Sequence, residues 1–448
     1  MKYLKNFEYK SDYYVYLDES KMPDEEAYEY PNISFVERDD MHEIETEANE
    51  TVYHSYKDTP LTFQIVGDRD YVEGDTYTIQ LNFDGEDTSY QRDVQYRINY
   101  GEWIYAEFGT NSITGLTPGD TVQFYSEDTE PYTSLDESSL ECHNYFGCDT
   151  KFNIFGNINS LIDYRTDWFD KLQFCYLFYD CTGLLSAEKL ILPEETLSEA
   201  CYASMFKGCT NLTVAPKLPS TTLADYCYRE MFSGCTSLTT APELPATALV
   251  GWCYASMFSG CINLTTAPAL PATTLHSACY DHMFDGCTSL RTAPNLPATT
   301  MYYSCYRGMF VGCTSLTTAP ELPATTLATY CYGDMFYGCT SLAAAPELNA
   351  TAVTVQCYMR MFYNCKNLTE APELPATNLV EYCYYQMFLG CTKLKYIKCL
   401  ATNISANNSH LYWLSGVAST GTFVKPLSMT AWPTGTSGIP TGWTVQDI

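Results

Sequence analysis

The sequence predicts an α/β solenoid of about nine units, capped at its C-terminal end. A small all-β sandwich and an acidic N-terminal arm precede it. Three observations carry this reading. One phrase recurs from Cys181 onward, and in its cleanest form it reads CTSLTTAPELPATTLATYCYGDMFYG from Cys313 and restarts at Cys339. Its first cysteine falls at 209, 235, 261, 287, 313, 339, 365 and 391, an unbroken period of 26. Before it, from about 58 to 160, apolar residues alternate with polar ones. Earlier still, tyrosines and acids are mixed without either period. The expected divisions are an arm at 1–50, an Ig-like sandwich at 51–160, the solenoid at 161–416 and a cap at 417–448.

The N-terminal third carries most of the charge. Residues 1–150 hold 34 Asp and Glu against 9 Lys and Arg, about −25 of the net −30 of the 448-residue chain. Such a surface repels the phosphates of nucleic acid and anionic membranes alike. The opening MKYLKNFEYKSDYYVYLDES lacks the apolar run of a secretory signal, and no stretch approaches a membrane span. With acids at 24–26, 29, 43, 45 and 47 among its tyrosines, the arm reads as a flexible tail or as a docking peptide that orders on a partner.

Period two marks the sandwich. Tyr77, Ile79, Leu81 and Phe83 alternate with polar residues, as do Val94, Tyr96, Ile98 and Tyr100, and then Val122 and Phe124. Turn signals at Asp84-Gly85, Tyr100-Gly101 and Pro118-Gly119-Asp120 separate five or six short strands. Lys151 to Leu161 is expected to be the strand leading into the array. The acidic loop Asp84-Gly85-Glu86-Asp87 lacks calcium-loop spacing and reads as a solvated turn. Cys142, His143 and Cys148 offer at most three zinc ligands at an unfamiliar spacing.

Within the array, each unit is numbered from its first cysteine. Leucine at +3, alanine at +6 and leucine at +9 mark a short extended piece, with proline at +7 where a ladder needs no donor. A threonine at +12 is placed to N-cap a helix. Apolar residues follow at +18, +19, +22, +23 and +26, for example Cys227, Tyr228, Met231, Phe232 and Cys235. On a helix these span about 140° of arc, one buried stripe. Glycine at +25, replaced once by Asn364, suits a left-handed helix C-cap. Stacked units then align Cys, Leu, Tyr, Met and Phe in ladders that build a core rather than a cofactor site. Of the 21 cysteines, 17 fall in register with the repeat. The two of one unit, eight residues apart, sit about 12 Å apart on a helix, too far for a disulfide. They are read as free, buried thiols assembled in a reducing cytoplasm. The tail from Gly421, rich in Trp, Gly and Pro, reads as a cap on the open end.

The phrase MFxGCTSLTTAPELPATTL resembles the BspA-like class of leucine-rich repeats, in the 26-residue variant common in gut Bacteroidales and their phages. The resemblance covers Cys181 to the C-terminus, and the tail from Gly421 to Val445 is similar to the usual ending of that class. KFNIFGNINSLI and TPGDTVQFYSED are similar to the sandwich that precedes such repeats. The opening MKYLKNFEYKSDYYVYLDESKMPDE also resembles the leader of many phage virion proteins. The resemblance implies surface display and binding, on phage particles or in bacterial adhesins.

No G-x-S-x-G, Gly-rich phosphate loop or H-E-x-x-H occurs, and the six histidines are scattered. No catalytic residue, metal or cofactor is therefore expected, with a carbohydrate-active enzyme kept as a remote alternative. Binding has better support, because the units differ only at certain offsets. Positions +15 to +17 read ADY, VGW, HSA, YYS, ATY, TVQ and VEY. Offset +17 projects away from the apolar stripe, which makes Tyr226, Trp252, Tyr330, Gln356 and Tyr382, with the adjoining His276 and Tyr303, candidates for an exposed anchor face. A second face follows the strands at +8, where Lys217, Glu243, Ala269, Asn295, Glu321, Glu347 and Glu373 succeed one another, the glutamates forming an acidic stripe. The function expected is a virion structural protein assembled in the host cytoplasm, its solenoid binding a host surface protein or glycan. Its N-terminal region is expected to meet other virion proteins, and the chain further copies of itself. A bacterial cell-surface adhesin is the alternative.

Overall fold

The computed structural model describes residues 59–68, 72, 74–133, 143–164, 170–193, 197–430 and 432–448, and the backbone alone of 14–15, 41–45 and 51–55. Those last three are short antiparallel strands, β1 (Tyr14–Val15), β2 (Met41–Glu45) and β3 (Thr51–Ser55), in the order β1-β3-β2. Sequence periodicity gave no sign of them, since Tyr14 pairs with Tyr53 across a gap that no local window spans. The other residues of the arm, with most of its acids, lie outside the described residues, as does Cys142.

Eight strands follow before residue 160: β4 (Leu61–Ile65), β5 (Tyr77–Asp84), β6 (Asp93–Ile98), β7 (Ile104–Glu107), β8 (Ser112–Leu116), β9 (Thr121–Tyr125), β10 (His143–Cys148) and β11 (Phe152–Asn157). The alternating apolar residues point inward, so Ile79, Leu81, Val94, Val122 and Phe124 are all buried. Two sheets result, β10-β5-β8 and β12-β11-β4-β9-β6-β7, with β12 at Leu184–Ile191. Phe146 of β10 meets Phe63 of β4 at 5.1 Å and Phe124 of β9 at 4.8 Å, which packs one sheet on the other. The turn at Tyr100-Gly101 is tight. Asn99 and Tyr100 both take positive φ, and the Gly101 N–H donates to the Ile98 carbonyl.

The larger sheet runs directly into the repeats. β11 lies antiparallel to β4 on one side and parallel to β12 on the other, and β12 belongs to the first repeat unit. From there single parallel bridges join several successive extended pieces at +5 and +13, such as Thr240 to Thr266 and Ala248 to Thr274. The +7 proline falls two residues after a bridge, where it withholds no ladder donor. The ladder ends in β13 (Tyr396–Lys398), β14 (Thr422–Lys425) and β15 (Thr444–Asp447), all parallel.

The expected helix in each unit is absent: among the described residues there is no α-helix, only two short 3-10 turns at Thr88–Tyr90 and Ile158–Ile162. What replaces it is a chain of tight turns with a four-residue period. In the unit from Cys209, Tyr226, Glu230 and Gly234 take φ of 61°, 56° and 75°. Alternate N–H groups close turns to the third residue before, as Met231 does to Tyr228. The intervening ones leave the unit and donate to the next, as Tyr228 does to Cys253 and Phe232 to Met257. A backbone that sends every second donor to its neighbour cannot make helical bonds. The glycine at +25 is left-handed as expected, but as one of three such positions rather than a helix cap, and the +12 threonine caps nothing helical.

Core positions stand where the apolar pattern put them. Cys227, Tyr228, Met231, Phe232 and Cys235 are at most 1% exposed, and the same offsets repeat along the array. Tyrosine rings from Tyr202 to Tyr384 follow one another at 5.7–6.1 Å, and phenylalanine rings from Phe178 to Phe388 at 5.3–5.8 Å. Each large side chain so buried stabilises the fold by about 1.5–3 kcal/mol. Every described cysteine is free, and all but Cys148 are buried. The first thiol of a unit donates to a phenylalanine carbonyl 29 residues earlier, as Cys261 does to Phe232 at 3.1 Å. At the C-terminal end Trp413 stacks on Tyr384 and, at 5.1 Å, on Trp432.

Candidate binding faces of the repeat array

The bridged extended pieces hold one candidate face. Because +9 turns its leucine into the core, +8 points outward, and Lys217, Glu243, Ala269, Asn295, Glu321, Glu347 and Glu373 are all exposed. The acidic column is interrupted in the two units from Cys261 and Cys287. There Ala269 and Asn295 replace charged residues, and with Pro268, Pro271, Pro294 and Pro297 they line an open concavity of about 260 Å³. Glu243 lies to one side of it in sequence and Glu321 to the other. At the far end Glu373 is paired with Lys398 at 2.8 Å.

The turn ladder holds the other face, and here the geometry corrects the expectation. Offset +17 does not project opposite the core. Tyr226, Trp252, Tyr330, Gln356 and Tyr382 are half-buried at a left-handed position, and in the unit from Cys261 the place is taken by the buried Ala278. With no helix, the residue at +17 lies along the surface beside its neighbour in the next unit. Tyr226 and Trp252 accordingly stack at 6.0 Å with their planes 12° apart. The Arg229 guanidinium stands 5.9 Å from the first ring and 6.0 Å from the second, within reach of their negative faces. His276 is exposed and stacks on Tyr302 at 5.9 Å, while Tyr303 is 52% exposed. Tyr330 lies under Arg307 at 5.2 Å, and Tyr382 accepts a bond from Asn408.

Charged residues at +20 and +21, which sequence reasoning passed over, organise this face. Glu230 takes Lys207 from one side and Arg229 from the other. Burial pushes the Glu230 carboxyl up, but those two cations outweigh it and hold it below its usual range. Asp334, 6% exposed at its side chain, pairs with Arg360 at 2.7 Å. The +17 and +20 side chains are thus held in fixed arrangements. The signal that could have found them is the four-residue spacing of +17, +21 and +25, which puts three surface residues of one unit in one register.

The zinc reading gains nothing from the geometry. His143 is buried against Tyr145 and Tyr176, neither of its ring nitrogens has a partner, and burial lowers its pKa. No cluster of three His, Cys, Asp or Glu suited to a metal occurs among the described residues. Asp87 accepts from the Ser89 N–H and caps the turn that follows.

Stacked 26-residue units with an invariant Leu, Tyr, Met and Phe core define a repeat class, and comparison with family models agrees. The model for the BspA type leucine-rich repeat region matches in six copies across residues 175–317 and 304–416, more than half of the chain. The chain belongs to the BspA-type leucine-rich-repeat family. No curated protein and no solved structure matches it. Such BspA-type repeats are often found in surface adhesins and are typically non-catalytic. Among the described residues of this BspA-type chain, no helix is long and apolar enough to cross a membrane.

Proposed function

We propose that this BspA-type protein is a non-catalytic structural component of a phage virion, whose solenoid displays its two variable faces to a host surface protein or glycan. One observation carries the reading. Core offsets are nearly identical from unit to unit, whereas +15, +16 and +17 change residue at every step and the exposed +8 column changes from Lys217 through Glu321 before settling on glutamate. Tyr226 and Trp252 at +17, His276 at +15 and Tyr303 at +16 place rings suited to protein or sugar contacts at offsets that the core does not constrain.

The N-terminal region attaches the protein to other virion proteins in this reading, and the likeness of the opening residues to virion leaders supports it. Free buried thiols throughout the array accord with assembly in a reducing host cytoplasm. A bacterial cell-surface adhesin is the second reading, favoured by the family itself. Mass spectrometry of purified phage particles separates the two. The protein is expected among the virion proteins, and its absence there with recovery from a bacterial surface fraction would establish the adhesin instead. Replacing Tyr226 and Trp252 by alanine is expected to weaken attachment to host cells at least tenfold with the fold retained. Unchanged attachment would remove the turn face from the proposal.

A further inference from the structure

The sandwich carries an aromatic surface that neither the repeats nor their family account for. On the six-stranded sheet, period two turns Val94, Tyr96, Val122 and Phe124 toward the core. The intervening residues face away, and register brings them together across three strands. Gln95 stands opposite Tyr105 on β7 and opposite Tyr125 on β9, and Arg97 stands opposite Gln123. Trp103, just before β7, continues the Arg97 row.

These side chains hold one another in place. The Arg97 guanidinium lies 4.6 Å from the Trp103 ring, and its Nε donates to Gln123 Oε1 at 2.7 Å. Trp103 meets the Tyr125 ring at 6.0 Å. The Tyr125 hydroxyl donates to Asp163, a bond that lifts its pKa to about 12. Tyr105 accepts from the Gln95 amide at 3.4 Å and still stands 73% exposed, with Trp103 at 37%. Fixed, outward-facing rings interleaved with amides and a guanidinium are not a solvated face of ordinary composition.

Charge identifies the occupant. Residues 1–150 carry about −25, yet Arg97 has no carboxylate partner among the described residues. A part-buried guanidinium held by the Tyr100 and Trp103 rings and by an amide, its terminal nitrogens free of any such partner, is set to take a carboxylate from outside. The acidic surroundings repel a dense polyanion. The rings suit a flat face of C–H groups, and Gln95 and the tyrosine hydroxyls suit sugar hydroxyls. We infer that Trp103, Tyr105, Tyr125 and Arg97 form a glycan-binding platform for an oligosaccharide with an isolated carboxylated sugar, the rings stacking on pyranose faces and Arg97 pairing with the carboxylate. This site is independent of the array faces.

Titration calorimetry on the full chain tests it with three probes: a neutral oligosaccharide, the same oligosaccharide bearing one carboxylated sugar, and a densely sulfated one. The singly carboxylated probe is expected to bind best and the sulfated one least. Arg97→Gln should cut affinity for the carboxylated probe about tenfold, the worth of one charge-assisted hydrogen bond, and leave the neutral probe unaffected. Trp103→Ala and Tyr105→Ala, both at exposed positions and checked for an unchanged melting curve, should weaken both of these probes. Equal binding of neutral and carboxylated probes by the unaltered chain overturns the role of Arg97. No binding of any probe, binding that survives Trp103→Ala with Tyr105→Ala, or selection of peptides alone from a mixed display overturns the platform.

Discussion

Tyr228, Tyr306 and Tyr332 bury phenol hydroxyls that have no hydrogen-bond partner, in a column where only the ring is needed for stacking. An unmet buried hydroxyl costs about 1–3 kcal/mol, so its removal relieves a penalty instead of breaking a bond. Tyr306→Phe is therefore expected to leave the melting temperature unchanged or to raise it. A loss above about 1 kcal/mol in denaturant titration would show that the hydroxyl is satisfied after all. The thiols are the opposite case, since the first S–H of a unit meets a carbonyl, as Cys287 meets Phe258 at 3.1 Å. Burial pushes the Cys261 thiol to about 12, and the buried thiols of the array should resist alkylation at neutral pH until the chain is unfolded.

At the scale of one element, the turn ladder depends on residues that tolerate positive φ. Gly286 has φ +72°, and a Cβ added there would meet only ordinary contacts at 3.7 Å. Gly286→Ala therefore suffers the backbone term alone, about 1–2 kcal/mol. Gly286→Asn should cost less, because Asn364 already holds the equivalent place at φ 58°. Gly390→Ala should cost the most, since its Cβ would run onto the Asn364 side-chain oxygen. Thermal melts of the three variants check this order, and equal losses would mean that the left-handed positions are not what glycine serves. The helix expectation failed for a related reason. Apolar offsets of +18, +19, +22, +23 and +26 fit a four-residue period as well as one of 3.6, and five apolar positions over nine residues do not separate the two. Nothing local tells a backbone that its alternate donors will find carbonyls about 25 residues on.

Across the whole molecule, stability is a sum of similar units, and so is its pH dependence. An unfolded thiol ionises near pH 9, whereas in the folded chain burial keeps it protonated to about 12 or beyond. Between those values the unfolded state holds fewer protons than the folded one, so stability falls as pH rises above about 9. Many cysteines and the tyrosine column act together, and the denaturation midpoint should drop steeply above about pH 9. A flat profile would contradict the burial of the thiols. The open end of the stack poses a second whole-molecule question. Deleting 417–448 uncovers Trp413, which is fully buried against Trp432 and Phe423. The shortened chain is expected to self-associate, as light scattering would reveal.

The sequence by itself determined the period, the core list and the strand alternation, because repetition and apolar spacing are written locally: Leu238, Tyr228, Met231 and Phe232 are buried as their offsets require. It also located the variable faces, and the +8 column is exposed along its length. Only the tertiary structure decided how the turn segment is bonded, since those bonds run between units rather than within one. For the same reason it alone placed Tyr226 beside Trp252 and lowered +17 from an exposed to a half-buried position. The sandwich platform was equally illegible, because Gln95, Tyr105 and Tyr125 become neighbours only through strand register. Contacts along the chain can be read from spacing, and contacts across it depend on which strands and units lie side by side.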